Sequence, residues 1–292
     1  MTIAELLSKV FFPLALSIIM LGMGMNLVPK DFTRILCHPK EIVIGLCNQL
    51  ILLPIIGFTL AITFNLSPVM AIGLMILVTC PGGPTSNLIT QICRGNIALS
   101  VTLTAITSIV SVLTIPFLLS LSLNNFGNSS NIKIELPILS TIFQITAITI
   151  IPICIGMLIR RFKSKFVVKM EHPMRMASSV IFIIVFIAAV LVNFNMIGQA
   201  MKEVGLVTLL LNILTLSLGF ITARAFKLNS KSVISISIES GIQNGTLAFT
   251  IATTILNNAE MSIPTVAYVI WMYITSSFLM WLLSKRQVPV PK

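Results

Sequence analysis

A chain of 292 residues in which 56% of side chains are hydrophobic and 9% charged is excluded from the ordinary soluble class, where about a quarter carry charge. Its net charge of +11 would suit a nucleic-acid surface, yet no basic face is interleaved with aromatics, so membrane topology explains the excess better. Five cysteines, Cys37, Cys47, Cys80, Cys93 and Cys154, include no CxxC pair, which predicts neither a disulfide framework nor a zinc site.

Crossing about 30 Å of hydrocarbon takes roughly 20 apolar residues. In chain order, nine runs qualify: 5–28, 41–63, 68–92, 97–122, 136–159, 175–194, 203–223, 231–256 and 262–284. The expectation is an all-α multi-pass membrane protein with nine transmembrane helices. Glu5 and Lys9 precede the first apolar run and no small-residue cleavage site follows it, so it reads as a retained span and not as a signal peptide. Asn128-Ser129-Ser130, in the longest outside loop, reads as a polar turn that only a eukaryotic secretory pathway would glycosylate.

Lys and Arg collect in cytoplasmic loops, which orients the chain. With the N-terminus outside, inside loops hold Lys30, Arg34 and Lys40, then Arg94, then Arg160, Arg161, Lys163, Lys165 and Lys169, then Arg224, Lys227 and Lys231. The tail, 285–292, adds Lys285, Arg286 and Lys292, while the outside keeps Lys9, Lys133 and Lys202. Arg175 sits at the cytoplasmic start of its span. The C-terminus is therefore expected in the cytoplasm and the protein in the cell membrane, a bacterial inner membrane on this reading. Membrane lipid is its surrounding partner and nucleic acid is not one; the oligomeric state, monomer or larger, stays open.

Span three carries Cys80-Pro81-Gly82-Gly83-Pro84-Thr85-Ser86-Asn87, a cluster of helix breakers in mid-segment. Span eight carries Gly241 and Gly245 around Gln243 and Asn244. Freed backbone groups at membrane depth must face protein or a wet cavity, so both breaks should lie in the interior. Spans five to nine form a set of five whose fourth member is span eight. Spans one to four are the same set without its first helix, which makes span three the counterpart. An odd set inverts on repetition, the pattern of inverted-repeat secondary transporters whose paired broken helices build the substrate and ion site.

Glu239, just before the second break, is the one acid deep inside an apolar run. A charge at mid-bilayer costs at least about 2.5 to 3.5 kcal/mol on insertion scales, so it points to function. Hard cations prefer oxygen ligands, and the neighbourhood is rich in neutral oxygen: Ser100 and Thr104 lie four apart on one face of span four. Each hydroxyl taken alone is more often bonded back to its own helix. With a single carboxylate, a monovalent cation fits better than magnesium or calcium.

Pro81-Gly82-Gly83-Pro84-Thr85-Ser86-Asn87, Arg94-Gly95-Asn96-Ile97-Ala98-Leu99-Ser100-Val101 and Glu239-Ser240-Gly241-Ile242-Gln243-Asn244 together resemble the bile acid:sodium symporter family, from Gly22-Met23-Gly24-Met25 to span nine. The resemblance implies two sodium ions. One would use Ser86, Asn87, Ser100, Thr104 and Glu239; the other Gln49, Glu239 and Gln243 with the Ser240 and Ile242 carbonyls. It implies the nine-span form, crossing discontinuous helices, and a core domain (41–122 and 203–284) moving against a panel (1–28 and 136–194). Two sodium ions against one carboxylate leave the site near +1, and helix N-termini add positive potential, so an organic anion is the expected solute. Thr85, Asn244 and Thr246 are expected to touch it. The position after the paired glycines, commonly Thr in bacterial relatives, is Pro84, which removes a hydroxyl and an N–H and leaves the choice of substrate open.

Four alternatives compete. Proton coupling or exchange of an organic anion would use Glu239 as the proton carrier, and a similar fold serves anion or metalloid export. A passive channel would show single-channel currents. An intramembrane enzyme finds little support, because His38 and His172 precede prolines in predicted loops and there is no HExxH or paired Asp.

Overall fold

Proline at the first turn of a helix is tolerated because the N–H it lacks would have no partner there; in mid-helix it breaks the ladder. That rule punctuates the first third of the chain. The computed structural model describes residues 10–127, 137–165, 167, 169, 170, 173 and 194–285. Helix α1 spans Phe12–Asn26, α2 Pro29–Cys37, α3 Pro39–Thr63, α4 Pro68–Thr79, α5 Pro84–Ile92 and α6 Ile97–Gly127. Then follow α7 Ile138–Phe162, α8 Phe194–Ala225, α9 Ser230–Gly241, α10 Gly245–Ile255 and α11 Ile263–Lys285. Among the described residues the architecture is all-helical, with one isolated backbone bridge. Of these helices α3, α6, α7, α8 and α11 are long and apolar enough to cross a membrane.

Seven of the expected spans coincide with these helices to within a few residues at most ends, although α8 begins earlier than expected and α6 runs on past 122. Span six at 175–194 lies outside the described residues but for its last residue. So do the start of span one, the loop with Asn128-Ser129-Ser130 and the tail beyond 285. Helix α2 was expected as a loop. Pro29 opens it and the Asp31 carboxylate accepts from the Val28 N–H at 2.8 Å, closing its first turn.

Pro54, Pro116 and Pro152 sit inside long helices without ending them. Pro54 in α3 and Pro152 in α7 each follow a π-helical turn, Asn48–Leu52 and Thr146–Ile150. In these wider turns the Leu53 N–H reaches back to Asn48 and the Ile151 N–H to Thr146, which loosens the ladder where a donor is missing. Gln49 projects from the first of these turns.

Packing follows from lipid as solvent. Leu113, Phe117, Leu139 and Phe143 are exposed, while hydroxyls and amides such as Thr107, Ser108, Thr208 and Asn212 are buried. Most buried hydroxyls donate to the carbonyl a turn back, as Thr107 does to Leu103 at 2.8 Å and Thr208 to Val204 at 2.8 Å. Helices α1 and α7 approach through glycines: a Cβ at Gly24 would strike the Ile153 backbone, and one at Gly156 the Leu21 carbonyl. Arg160 Nη1 then donates to the Met25 carbonyl at 2.8 Å, capping α1 from α7. Elsewhere α8 packs on α9 and α11, and α4 on α3, α6 and α11.

Three turns are built alike. Between α3 and α4 the N–H groups of Phe64, Asn65 and Leu66 donate to Leu60, Ile62 and Ala61. Between α5 and α6 those of Cys93, Arg94 and Gly95 donate to Ile89, Gln91 and Thr90, and Arg94 is left-handed at φ 57°. Between α8 and α9 those of Phe226, Lys227 and Leu228 donate to Thr222, Arg224 and Ala223. Asn65 and Lys227 also take left-handed backbone, at φ 47° and 56°, and their two turns each precede a short helix of 12 residues.

Candidate cation site at the paired helix breaks

Helix α4 ends when Cys80 turns to extended backbone, φ −71° and ψ 148°, and the chain becomes helical again at Pro84. Helix α9 ends at Gly241, Ile242 is extended at φ −113° and ψ 103°, and α10 starts after Asn244. The two breaks meet. Gly82 and Gln243 form an antiparallel bridge, and the Asn244 N–H donates to the Pro81 carbonyl at 2.9 Å. Each break thus supplies backbone partners to the other, as apolar surroundings require.

Glu239, 2% exposed, lies on the last turn of α9 beside this bridge. Its donors are the neutral hydroxyls of Thr104 and Ser100, with the Ser86 hydroxyl alongside. Ser100 Oγ donates to Glu239 Oε2 at 3.0 Å and stands 2.8 Å from Asn87 Oδ1. Thr104 Oγ1 donates to Glu239 Oε1, is 3.4 Å from Asn87 Oδ1, and is 2.9 Å from its own-helix acceptor, the Ser100 carbonyl. Ser86 Oγ spends its proton on the Gly83 carbonyl at 2.7 Å. Residues from α5, α6 and α9 therefore place more lone pairs than protons around one carboxylate. Such a constellation suits a small cation. The carboxylate also fills the space beside Gly82, where a Cβ would collide with Glu239 Oε1.

A second cluster lies along the same break. Gln49 Nε2 donates to Gln243 Oε1 at 2.7 Å and to the Cys80 carbonyl at 3.2 Å, while Gln243 Nε2 donates to the Ser240 carbonyl at 2.9 Å. Gln49 Oε1 is buried with no hydrogen-bond partner among the described residues. That orphaned acceptor, on an amide whose Nε2 meets the Cys80 carbonyl, again invites a cation. Ile242 sits in the extended break itself.

The structure brings Ser86, Asn87, Ser100, Thr104 and Glu239 together, and Gln49, Gln243 and Ser240 beside them. Thr85, Asn244 and Thr246 stand apart from the hydrogen bonds of Glu239. Thr85 is in the first turn of α5, bonded to Tyr273, and Thr246 is buried in the first turn of α10. Asn244 caps α10 by accepting from the Leu247 N–H at 3.0 Å, which leaves its Nδ2 buried and unpartnered among the described residues.

Sequence reasoning missed several participants. Thr90 Oγ1 donates to Ser100 Oγ at 3.3 Å. Asn212 and Tyr268 both hold the Gly241 carbonyl. Asn212 had a signal, being the single carboxamide within the apolar run 203–223. The Tyr268 hydroxyl had none, since its acceptor is set by tertiary packing.

An all-helical, multi-pass membrane protein with a buried acid at two joined helix breaks belongs to the transporter class in its architecture. The model of the Sodium Bile acid symporter family matches residues 13–200, and the chain belongs to that family. It is 29% identical over 276 residues to the "Uncharacterized sodium-dependent transporter YocS" of Bacillus subtilis (strain 168), covering 94% of this chain and 84% of that one. It is 31% identical over 250 residues to the "Probable sodium/metabolite cotransporter BASS1, chloroplastic" of Arabidopsis thaliana, covering 85% and 60%. The "Ileal sodium/bile acid cotransporter" of Homo sapiens is 24% identical over 251 residues, covering 85% and 70%.

Proposed function

We propose that the protein is a secondary symporter that couples entry of sodium to movement of a small organic anion by alternating access. The observation that carries this reading is the excess of oxygen lone pairs over protons around Glu239. A first sodium ion is held by Ser86, Asn87, Ser100, Thr104 and Glu239. A second is held by Gln49, Glu239 and Gln243 with the Ser240 and Ile242 carbonyls, where the unpartnered Gln49 Oε1 supports it. The charge then stands near +1, and the N-terminal ends of α5 and α10 add positive potential, so the solute is an anion. Thr85, Asn244 and Thr246 touch it; the free Asn244 Nδ2 supports a donor role there.

Two halves in inverted repeat account for the matched α3–α4 and α8–α9 turns and for a break after each 12-residue helix. In this reading the chain has nine spans, α4–α5 crosses α9–α10, and the N-terminus is outside. The core, 41–122 and 203–284, moves against a panel of 1–28 and 136–194; the close α1–α7 packing at Gly24 and Gly156 supports the panel as one body. The test is uptake of labelled organic anions into proteoliposomes under a sodium gradient at fixed pH. Sodium-driven accumulation is expected. Uptake that follows a pH gradient and ignores sodium would instead make Glu239 a proton carrier and overturn the reading.

A further inference from the structure

Gly241 is the last residue of α9, and its carbonyl has lost the helical partner it would otherwise have: the Gly245 N–H, four residues on, donates to Gln243 at 3.0 Å. Two side chains from other helices take its place. Asn212 Nδ2 on α8 and the Tyr268 hydroxyl on α11 both donate to the Gly241 carbonyl at 2.9 Å. Thr275 Oγ1 stands 2.6 Å from Asn212 Oδ1, its shortest contact, with the Trp271 and Met272 carbonyls of its own helix at 2.9 and 3.2 Å; donation to Asn212 sets the amide with its NH2 toward Gly241. Asn212 and Tyr268 are fully buried.

A carbonyl oxygen has two lone pairs, and here both are filled by neutral donors, so Gly241 has none left for an ion. Its neighbour behaves differently. The Ser240 carbonyl meets Gln243 Nε2 at 2.9 Å, on the side of the Gln49 cluster. Peptide units are planar and joined through two soft dihedrals per residue, so fixing one carbonyl toward α8 and α11 constrains the directions of those on either side. The first break offers a contrast. There the Cys80 carbonyl accepts from Gln49 Nε2 at 3.2 Å, an amide whose own oxygen stays unpartnered and open to a cation. On the second break the corresponding amide is closed by Thr275 and seconded by a tyrosine hydroxyl.

We propose that Asn212, Tyr268 and Thr275 are positioning residues that pin the Gly241 peptide and thereby hold the Ser240 and Ile242 carbonyls toward the second sodium ion. This rests on the two-ion reading above. Neither α8 nor α11 supplies a ligand in that reading, yet both set the geometry of the ligands on α9.

The test is binding of radiolabelled sodium to the purified full chain, with potassium as replacement ion, alongside thermal unfolding in potassium. Tyr268→Phe and Thr275→Val are each expected to weaken sodium binding about three- to tenfold, and Thr275→Ser, which keeps the hydroxyl, to retain wild-type affinity. The control is Trp271→Phe. It removes the Trp271 Nε1 bond to the Gly205 carbonyl, 2.9 Å long and between the same two helices, and is expected to lower the unfolding midpoint without altering sodium affinity. Should Tyr268→Phe fail to fold, the contrast between Thr275→Val and Thr275→Ser decides. Wild-type affinity in Tyr268→Phe and Thr275→Val, or an equal loss in Trp271→Phe, overturns the clamp while leaving the sodium site standing. A wild-type chain without sodium-specific binding overturns the site reading, and the clamp with it.

Discussion

A hydroxyl carries one proton, and Ser100 faces two acceptors with it, Asn87 Oδ1 and Glu239 Oε2. Thr104 is in the same position, with its own helix carbonyl as a further claimant. The shortage of protons is what separates these residues from Thr107 or Thr208, whose hydroxyls simply bond back along the helix. Crowding beside Glu239 gives a sharp expectation: Gly82→Ala drives a methyl into the carboxylate. Sodium affinity should fall at least tenfold, which is about 1.4 kcal/mol, with the fold retained, as read by sodium titration and circular dichroism. An unaltered affinity would mean that Glu239 has freedom to move away. At this scale the sequence was informative wherever a polar group is costly. Glu239 in an apolar run and the Ser100–Thr104 spacing were readable because lipid penalises them. Asn87 and Gln49 were placed by family resemblance, and their partners needed the fold. Thr90 and Tyr268 escaped because an interior hydroxyl looks the same in sequence whether it bonds to its own helix or to another.

Among the elements, the breaks were legible and the π-helical turns were not. Pro81, Gly82, Gly83 and Pro84 carry their meaning in their chemistry, since they remove donors and favour open backbone. The turns before Pro54 and Pro152 depend on how the surrounding ladder relaxes, and nothing in Asn48–Leu52 or Thr146–Ile150 announces that. Helix α2 was passed over because its polar residues suggested a loop, although Pro29 and Asp31 form a start signal. The α1–α7 contact is the element-level feature most exposed to mutation. Gly24→Ala places a methyl against the Ile153 backbone, which cannot move aside as a side chain can. Overpacking of this kind costs about 1 to 3 kcal/mol, and the unfolding midpoint in detergent should drop by several degrees while sodium affinity stays within twofold. A midpoint equal to wild type would show that the two helices are not locked at Gly24.

For the whole molecule, the charge distribution makes a claim that packing alone does not. On the proposed topology the exposed basic residues at the end of α7 lie on one side of the membrane, and Lys202, near the start of α8, on the other. In a background with the native cysteines replaced by alanine, Lys202→Cys should react with an impermeant maleimide on intact cells. Lys163→Cys should react only after permeabilisation; the opposite pattern would invert the orientation. The proposed span count and orientation rest on apolar length and loop charge, on which lipid and the insertion machinery act directly. Which helices face one another came only from the fold, because buried hydroxyls and amides mark the inward side of a helix without naming its neighbour.

The central claim is that the native state binds sodium through Glu239. The most direct measurement is the thermal unfolding midpoint of the purified wild-type chain and of Glu239→Gln, with potassium replaced stepwise by sodium at constant ionic strength and pH. A ligand that binds the folded state alone raises the midpoint in a saturable way. The wild-type midpoint should rise with sodium and level off, while that of Glu239→Gln, folded in potassium, should not respond. Identical curves for the two ions in the wild type, or an undiminished sodium response in Glu239→Gln, would contradict the account.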